Sequence, residues 1–310
     1  MKLDLRVLAA IGVTLVLWGS AFSGVRAGLA AYGPEHLALL RFLVASVVLA
    51  GYALLKRLPL PRREDIPAIA LLGLLGITVY HLALNRGEVT VPAGTTSLII
   101  NTTPIFTALL SAVMLKERLV LRSWVGIGLS FAGIVLITLG EGKVLELAAG
   151  AVFLLVASFA FSLDMVLQKR YLAKYSAVAF TAYMVWAGTF FLLIFLPGLP
   201  EAVQRAPLSA TLAVVYLGVF PAALAYVLWA YILARGGVSQ TANLLYLVPI
   251  LSLFIAWVWL KEAPSGLTLL GGGLTLGGVA LLNGALGKVY EGWLRLRKMG
   301  LLGKVVPLSK

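Results

Sequence analysis

The segments Pro104-Ile105-Phe106-Thr107-Ala108…Leu115-Lys116-Glu117 and Pro249-Ile250-Leu251-Ser252-Leu253…Leu260-Lys261-Glu262 are one pattern written twice. A slide of 145 positions superimposes them without a gap, and the register holds on both sides. Gly73 falls on Gly218, Thr96 on Thr241, Gly126 on Gly271 and Gly133 on Gly278. One matching Lys-Glu pair is within reach of chance, but an ordered set marks an internal duplication. The first helices of each half align near an offset of 143, which places Trp18 on Phe161. One departure is visible: Ala263-Pro264 stand where the first half has Arg118-Leu119.

Both copies end apolar runs. The chain has 310 residues, 61% of them hydrophobic and only 12% charged, against about 25% charged in ordinary soluble domains. A bilayer accommodates that composition because the outer surface is then also apolar. Ten runs are long enough to span: about 5–31, 36–55, 66–85, 93–115, 121–140, 147–170, 176–196, 208–234, 239–260 and 266–286. Backbone in hydrocarbon must satisfy itself, so these are helices. A β-barrel needs alternation, which Ala68 to Thr78 lacks. The first run exceeds a signal-peptide core and reads as a helix that stays. Tyr32-Gly33-Pro34-Glu35 is a tight turn, and 58–67 and 197–207 each hold three prolines. Short connections imply antiparallel neighbours.

Charge orients the bundle. With the N-terminus cytoplasmic, Arg86, Lys143, Arg205 and Lys261 face outward and Arg26 and Arg41 lie within runs; the rest of the 25 basic residues fall on the cytoplasmic side. That asymmetry is the positive-inside pattern, and it puts both termini inside. It also accounts for the net charge of +13 without nucleic acid, as anchors on an anionic lipid surface.

The expected fold is therefore an all-α membrane protein with ten transmembrane helices. The halves are 1–140 and 141–286, and 287–310 is a basic cytoplasmic tail. Each half holds five spans. Five is odd, so the second half enters the membrane inverted. Inverted repeats about a midplane site are a transporter architecture.

Trp18-Gly19-Ser20-Ala21-Phe22, Arg41-Phe42 and the paired Pro-x(11)-Lys-Glu blocks resemble the drug/metabolite transporter superfamily, specifically its ten-helix EamA-type members. The resemblance covers roughly residues 10 to 285 and is nearest to bacterial exporters of aromatic amino acids and paraquat. It implies inverted five-helix repeats in a bacterial cytoplasmic (inner) membrane. It also implies export of amino acids, metabolites or toxic cations.

Polar groups deep in a span are candidates for substrate contact. Asp164, the only acid well inside a run, precedes Gln168 by one turn. It suits a coupling proton or a substrate ammonium, and pairing with Lys169 or Arg170 is the alternative. Tyr80, His81 and Asn85 share the third run, and His81 aligns with Tyr226. Asn101 aligns with Tyr246, one turn after Asn243. Pro104 and Pro249 follow, each expected to kink its helix and free the carbonyl of Ile100 or Leu245. Trp18, Trp186, Tyr226, Trp229 and Tyr246 offer aromatic faces for flat amphiphiles and cations. Arg26 and Arg41 read as snorkelling residues near the outer ends of their helices; the alternative for Arg41 is contact with a substrate carboxylate near the outer mouth. Glycines at 126, 128, 133, 271–273, 277 and 278 read as close helix packing, or a dimer face.

Other functions are poorly served. No Walker motif is present for ATP hydrolysis. There are no cysteines and only two histidines, so no metal cluster is expected. No paired carboxylates or Ser–His arrangement suggests catalysis. The expected partners are a small-molecule substrate and the bilayer, with proton coupling open and a monomer or weak homodimer as the assembly. An uncoupled channel and a nucleotide-sugar carrier are the alternatives; the latter would want more basic groups in the cavity.

Overall fold

Two helices, α1 (Leu5–Leu29) and α2 (Pro34–Lys56), meet at the Tyr32-Gly33 turn. Pro34 sits in the first turn of α2, where a missing N–H costs nothing. The helix stops at Arg57, whose left-handed φ of 49° sends its N–H back to the carbonyls of Ala53 and Leu54. Pro59 and Pro61 then bar continuation. The computed structural model describes residues 5–114, 120–140, 144–236 and 238–282, with the side chains of 144–147, 239, 240, 243 and 282 excepted. Every regular element among them is helical. The Lys116-Glu117 copy of the repeated motif and the basic tail lie outside the described residues.

Four spans are irregular. The third runs from α3 (Ile66–Gly73) through a π-turn, Leu74–Val79, into α4 (Tyr80–Thr90). The fourth comprises α5 (Ala93–Ile100) and α6 (Thr103–Met114), broken at Asn101-Thr102. After α7 (Leu121–Gly140), α8 (Val144–Gln168), α9 (Ala177–Leu192) and the short α10 (Leu199–Arg205), the irregularities return. A second π-turn, Gly218–Leu224, joins α11 (Leu208–Leu217) to α12 (Ala225–Arg235). A 3₁₀ turn, Asn243–Leu247, separates α13 (Val238–Ala242) from α14 (Val248–Leu260). The last helix is α15 (Gly266–Leu282). Wide turns of this kind cluster at functional sites. Their positions correspond under the slide of 145.

Eight helical stretches are long and apolar enough to cross a membrane: those at 5–29, 34–56, 63–90, 93–114, 121–140, 148–173, 177–195 and 208–235. Leu244–Leu260 and Gly266–Leu281 are apolar but shorter. Large apolar side chains such as Leu54, Leu121, Phe190, Leu208 and Trp257 stand exposed on the outside, which suits a lipid-facing surface.

Two expectations need correction. The third span does not end near residue 85; α4 continues to Thr90, because Asn85 and Glu88 are turned into the protein and the exposed Arg86 pairs with Glu35 of α2. Pro104 and Pro249 do not kink a continuous helix. Each lies in the first turn of a new one, α6 and α14, after the chain has already broken.

Contacts between the halves reciprocate. Ser130 donates to the Thr275 carbonyl at 3.0 Å and Thr275 donates to the Ser130 carbonyl at 3.3 Å. Gly133 abuts Gly271, and Gly278 abuts Gly126. Arg26 donates to the carbonyls of Glu88 and Val89; Lys169 donates to those of Leu233 and Ala234. The Ser130–Thr275 and glycine contacts exchange partners across the halves under the repeat, whereas the Arg26 and Lys169 bonds are one contact made again within each half. Away from this pattern, Asp65 accepts from Lys174 at 3.0 Å and from Tyr175 at 2.6 Å, tying α3 to the turn before α9. That hydrogen bond raises the Lys174 ammonium pKa above its usual value.

Candidate functional site

All four irregular spans border one central cavity. Its walls come from Trp18 and Phe22 of α1, Arg41 of α2, Tyr80 and His81 of α4, Ser97 of α5, Asn101, Phe161 of α8, Tyr226 of α12, and Leu245 and Val248 around the 3₁₀ turn. The cavity is small, about 50 Å³. That is room for a few waters, so a larger occupant must displace side chains.

Trp18 is the hub of the wall. Its ring centroid lies 5.9 Å from Phe161, 5.6 Å from Tyr226 and 4.9 Å from Trp229. Its Nε1–H donates to the Pro221 carbonyl at 3.3 Å, inside the second π-turn. Tyr80 stacks on Phe161 at 5.1 Å. Such edge and stacked pairs hold the rings in place beyond simple area burial.

A polar chain crosses the same space. Tyr226 Oη donates to the Gly76 carbonyl at 3.5 Å and thereby accepts from His81 Nε2 at 2.9 Å. His81 Nδ1 is then an acceptor, and Arg41 Nη1 donates to it at 3.3 Å. One neutral tautomer, protonated on Nε2, satisfies every link. His81 and Tyr226, which correspond in the repeat, touch each other. Arg41 is 2% exposed and has no ion pair among the described residues; its Nε has no hydrogen-bond partner. It is a wall residue, not a snorkelling one.

The carbonyls expected to be freed by the prolines are occupied. Ile100 O accepts from Ser158 Oγ at 3.1 Å and Thr103 Oγ1 at 2.7 Å. Leu245 O accepts from Asn101 Nδ2 at 2.7 Å, and Asn101 Oδ1 is left without a partner.

The cavity thus gathers Trp18, Tyr80, His81, Asn101 and Tyr226. Trp229 lies buried behind Trp18, its Nε1 unpaired. Asn85 donates to the Pro34 carbonyl at 2.9 Å. Asp164 accepts from Gln168 at 2.9 Å, not from a basic residue, and lies against Gly76 with Oδ1 unpartnered. Tyr246 turns away and donates to the Val279 carbonyl at 3.0 Å. The side chain of Asn243 lies outside the described residues.

Asp164 is not alone. Glu88 is fully buried, with neither carboxylate oxygen hydrogen-bonded. Beside it Arg26 pairs with Glu262 at 3.5 Å, and Glu262 also accepts from the Ala93 N–H at 3.0 Å, capping α5. The sequence signal for Glu88 was the apolar Val89-Thr90-Val91 that follows it, which carries the span on to Pro92.

The sequence profile of the EamA-like transporter family matches residues 5–139 and again 148–284. An "Uncharacterized transporter YdfC" of Bacillus subtilis is 44% identical over 278 residues, 90% of this chain and 91% of its own. A "Probable terminal-alkyne amino-acid exporter" of Streptantibioticus cattleyicolor is 41% identical over 283 residues, 91% of this chain and 95% of its own. The "Uncharacterized inner membrane transporter YedA" of Escherichia coli is 27% identical over 258 residues, covering 81% and 82%. A solved crystal structure at 23% identity shares the fold with a TM-score of 0.62, covering 89% of this chain and 96% of that one. With both halves matched and relatives above 40% identity along nearly their whole length, the chain belongs to the EamA-like transporter family and is a multi-pass membrane protein.

Proposed function

We propose that this protein is a secondary exporter of small amphipathic metabolites in a bacterial inner membrane, moving neutral amino acids, aromatic ones included, and organic cations. It works by alternating access around the central cavity. Its ten spans form two inverted sets of five, 1–140 and 141–286, with both termini cytoplasmic. The observation that carries this reading is the self-pairing of repeat positions. Residues that bond to their own counterparts, His81 to Tyr226 and Ser130 to Thr275, belong on an approximate twofold axis. A cavity on such an axis opens to either side by equivalent rocking motions. The Streptantibioticus relative, named as a probable amino-acid exporter, supports amino acids as the cargo. The wall of rings supports apolar side chains, and the buried acids Asp164 and Glu88 are the groups available to carry a coupling proton.

Proteoliposome uptake of an amino-acid and organic-cation panel, with the pH gradient varied, tests the reading. Neutral amino acids are expected to move faster with the gradient, and Asp164→Asn is expected to lose that response. A panel in which no amino acid moves would sink the substrate class; uptake indifferent to the gradient would make the protein an uncoupled facilitator.

Orientation has a direct check, because the chain carries no cysteine. In intact cells Gln204→Cys is expected to react with a membrane-impermeant maleimide, and Arg57→Cys only after permeabilisation. The opposite pattern overturns the orientation.

A further inference from the structure

Two residues that line the central cavity, Arg41 and Asn101, each carry a buried polar atom without a partner, and the two atoms are of opposite character. Arg41 Nε is a donor on a buried cation with no carboxylate within salt-bridge distance among the described residues, and Asn101 Oδ1 is an acceptor whose own amide nitrogen is engaged by Leu245 O. Neither atom is reached by water. Buried polar atoms without partners are rare in folded proteins and call for an explanation. A buried guanidinium without an ion-pair partner is costlier still, and an anion beside it offsets that cost.

The rest of the network does not supply one. His81 offers Arg41 a neutral nitrogen at 3.3 Å. Glu88 is buried nearby on α4 but makes no ion pair with Arg41. Arg41 lines a space otherwise walled by Trp18, Tyr80, Phe161 and Tyr226. An occupant that satisfies this lining has a carboxylate at one end, a hydrogen-bond-donating cation close to it, and an apolar body for the rings. Those are the parts of a neutral α-amino acid.

Resting on the exporter reading above, we propose that the cavity is a zwitterion site: Arg41 binds the α-carboxylate, Asn101 Oδ1 accepts from the α-ammonium, and the aromatic wall holds an apolar side chain. Arginine suits the first task because its planar fork matches carboxylate geometry. Asn101 suits the second because its amide nitrogen, anchored on Leu245 O, fixes which face the oxygen presents. The restricted space in the present state means that binding is accompanied by movement of the rings.

The test uses the purified full-length protein in lipid nanodiscs and four probes that share one apolar body. They are L-leucine, leucinamide (no carboxylate), 4-methylpentanoate (no ammonium) and 3-methylbutylamine (ammonium only), with affinities read by calorimetry. Leucine is expected to bind about 10- to 100-fold more tightly than either singly trimmed compound, the range for losing a hydrogen bond to a charged group. Arg41→Gln is expected to lower affinity for leucine and 4-methylpentanoate by a similar factor while leaving 3-methylbutylamine unchanged. Asn101→Leu is expected to do the reverse, sparing 4-methylpentanoate. The retained ligand in each variant reports that the site is folded, and Arg41→Lys, which keeps the charge, is expected to recover part of the loss.

Leucinamide binding as tightly as leucine overturns the proposal. So does an Arg41→Gln loss that falls equally on acid and amine. A wild-type protein that binds none of the four, or binds only organic cations, overturns the zwitterion assignment and leaves the exporter reading to the uptake and labelling experiments.

Discussion

Gly133→Leu is expected to remove the folded protein from the membrane. A Cβ at this position would lie 2.5 Å from Gly271 O and 2.7 Å from Thr275 N. Both are backbone atoms of α15 and cannot swing aside as a side chain can. The helices must separate, and the reciprocal hydrogen bonds between Ser130 and Thr275 go with them. Overpacking commonly costs about 1–3 kcal/mol where side chains can adjust, so a backbone collision belongs at or above the top of that range. Gly128 is the control: a Cβ there meets nothing within 4 Å, and Gly128→Leu is expected to behave as wild type. Melting of the detergent-solubilised protein, followed by size-exclusion profile, reads the difference. Equal stability of the two variants would remove the case for α7–α15 contact as a structural seam.

The second large effect is on transport. Trp18→Ala deletes the ring against which Phe161, Tyr226 and Trp229 pack, and with it the hydrogen bond to Pro221 O. Truncating a buried Trp costs about 3–5 kcal/mol, enough to let the wall collapse. Uptake is expected to fall at least about tenfold, since one factor of ten needs only about 1.4 kcal/mol. Trp18→Phe restores a ring without the N–H and is expected to recover part of the rate. Transport by Trp18→Ala at the wild-type rate would show that the ring is packing and nothing more.

Membrane class, the rough positions of eight spans and the duplication were legible because they are written in length, composition and spacing. The pairing of His81 with Tyr226 was legible as an alignment, although not as a hydrogen bond. Other features depend on partners far away in the chain. Asn85-Arg86-Gly87-Glu88 looks like a loop when read alone. It is helix because Pro34 O takes the Asn85 amide, Glu35 takes Arg86, and Arg26 takes the carbonyl of Glu88. Arg41 resembled an anchor because arginine near a helix end usually is one, and local pattern carries no sign of the rings that close over it. The prolines pointed to the right carbonyls; the side chains that occupy them, Ser158 and Asn101, sit about 60 and 145 residues away.

The clasps at Arg26 and Lys169 have an energetic consequence. Under the proposed alternating-access mechanism, identical inverted halves would make the inward-open and outward-open forms degenerate, with no preferred resting side. Only unlike residues at equivalent positions can lift that degeneracy. Arg26 grips the end of α4 while also paired to Glu262. Lys169 grips the end of α12 through a single ammonium. An arginine fork against a lysine point charge is an unequal pair of weights on the two pans of one balance. On that proposal, the resting bias is adjustable at these two positions without touching the cavity.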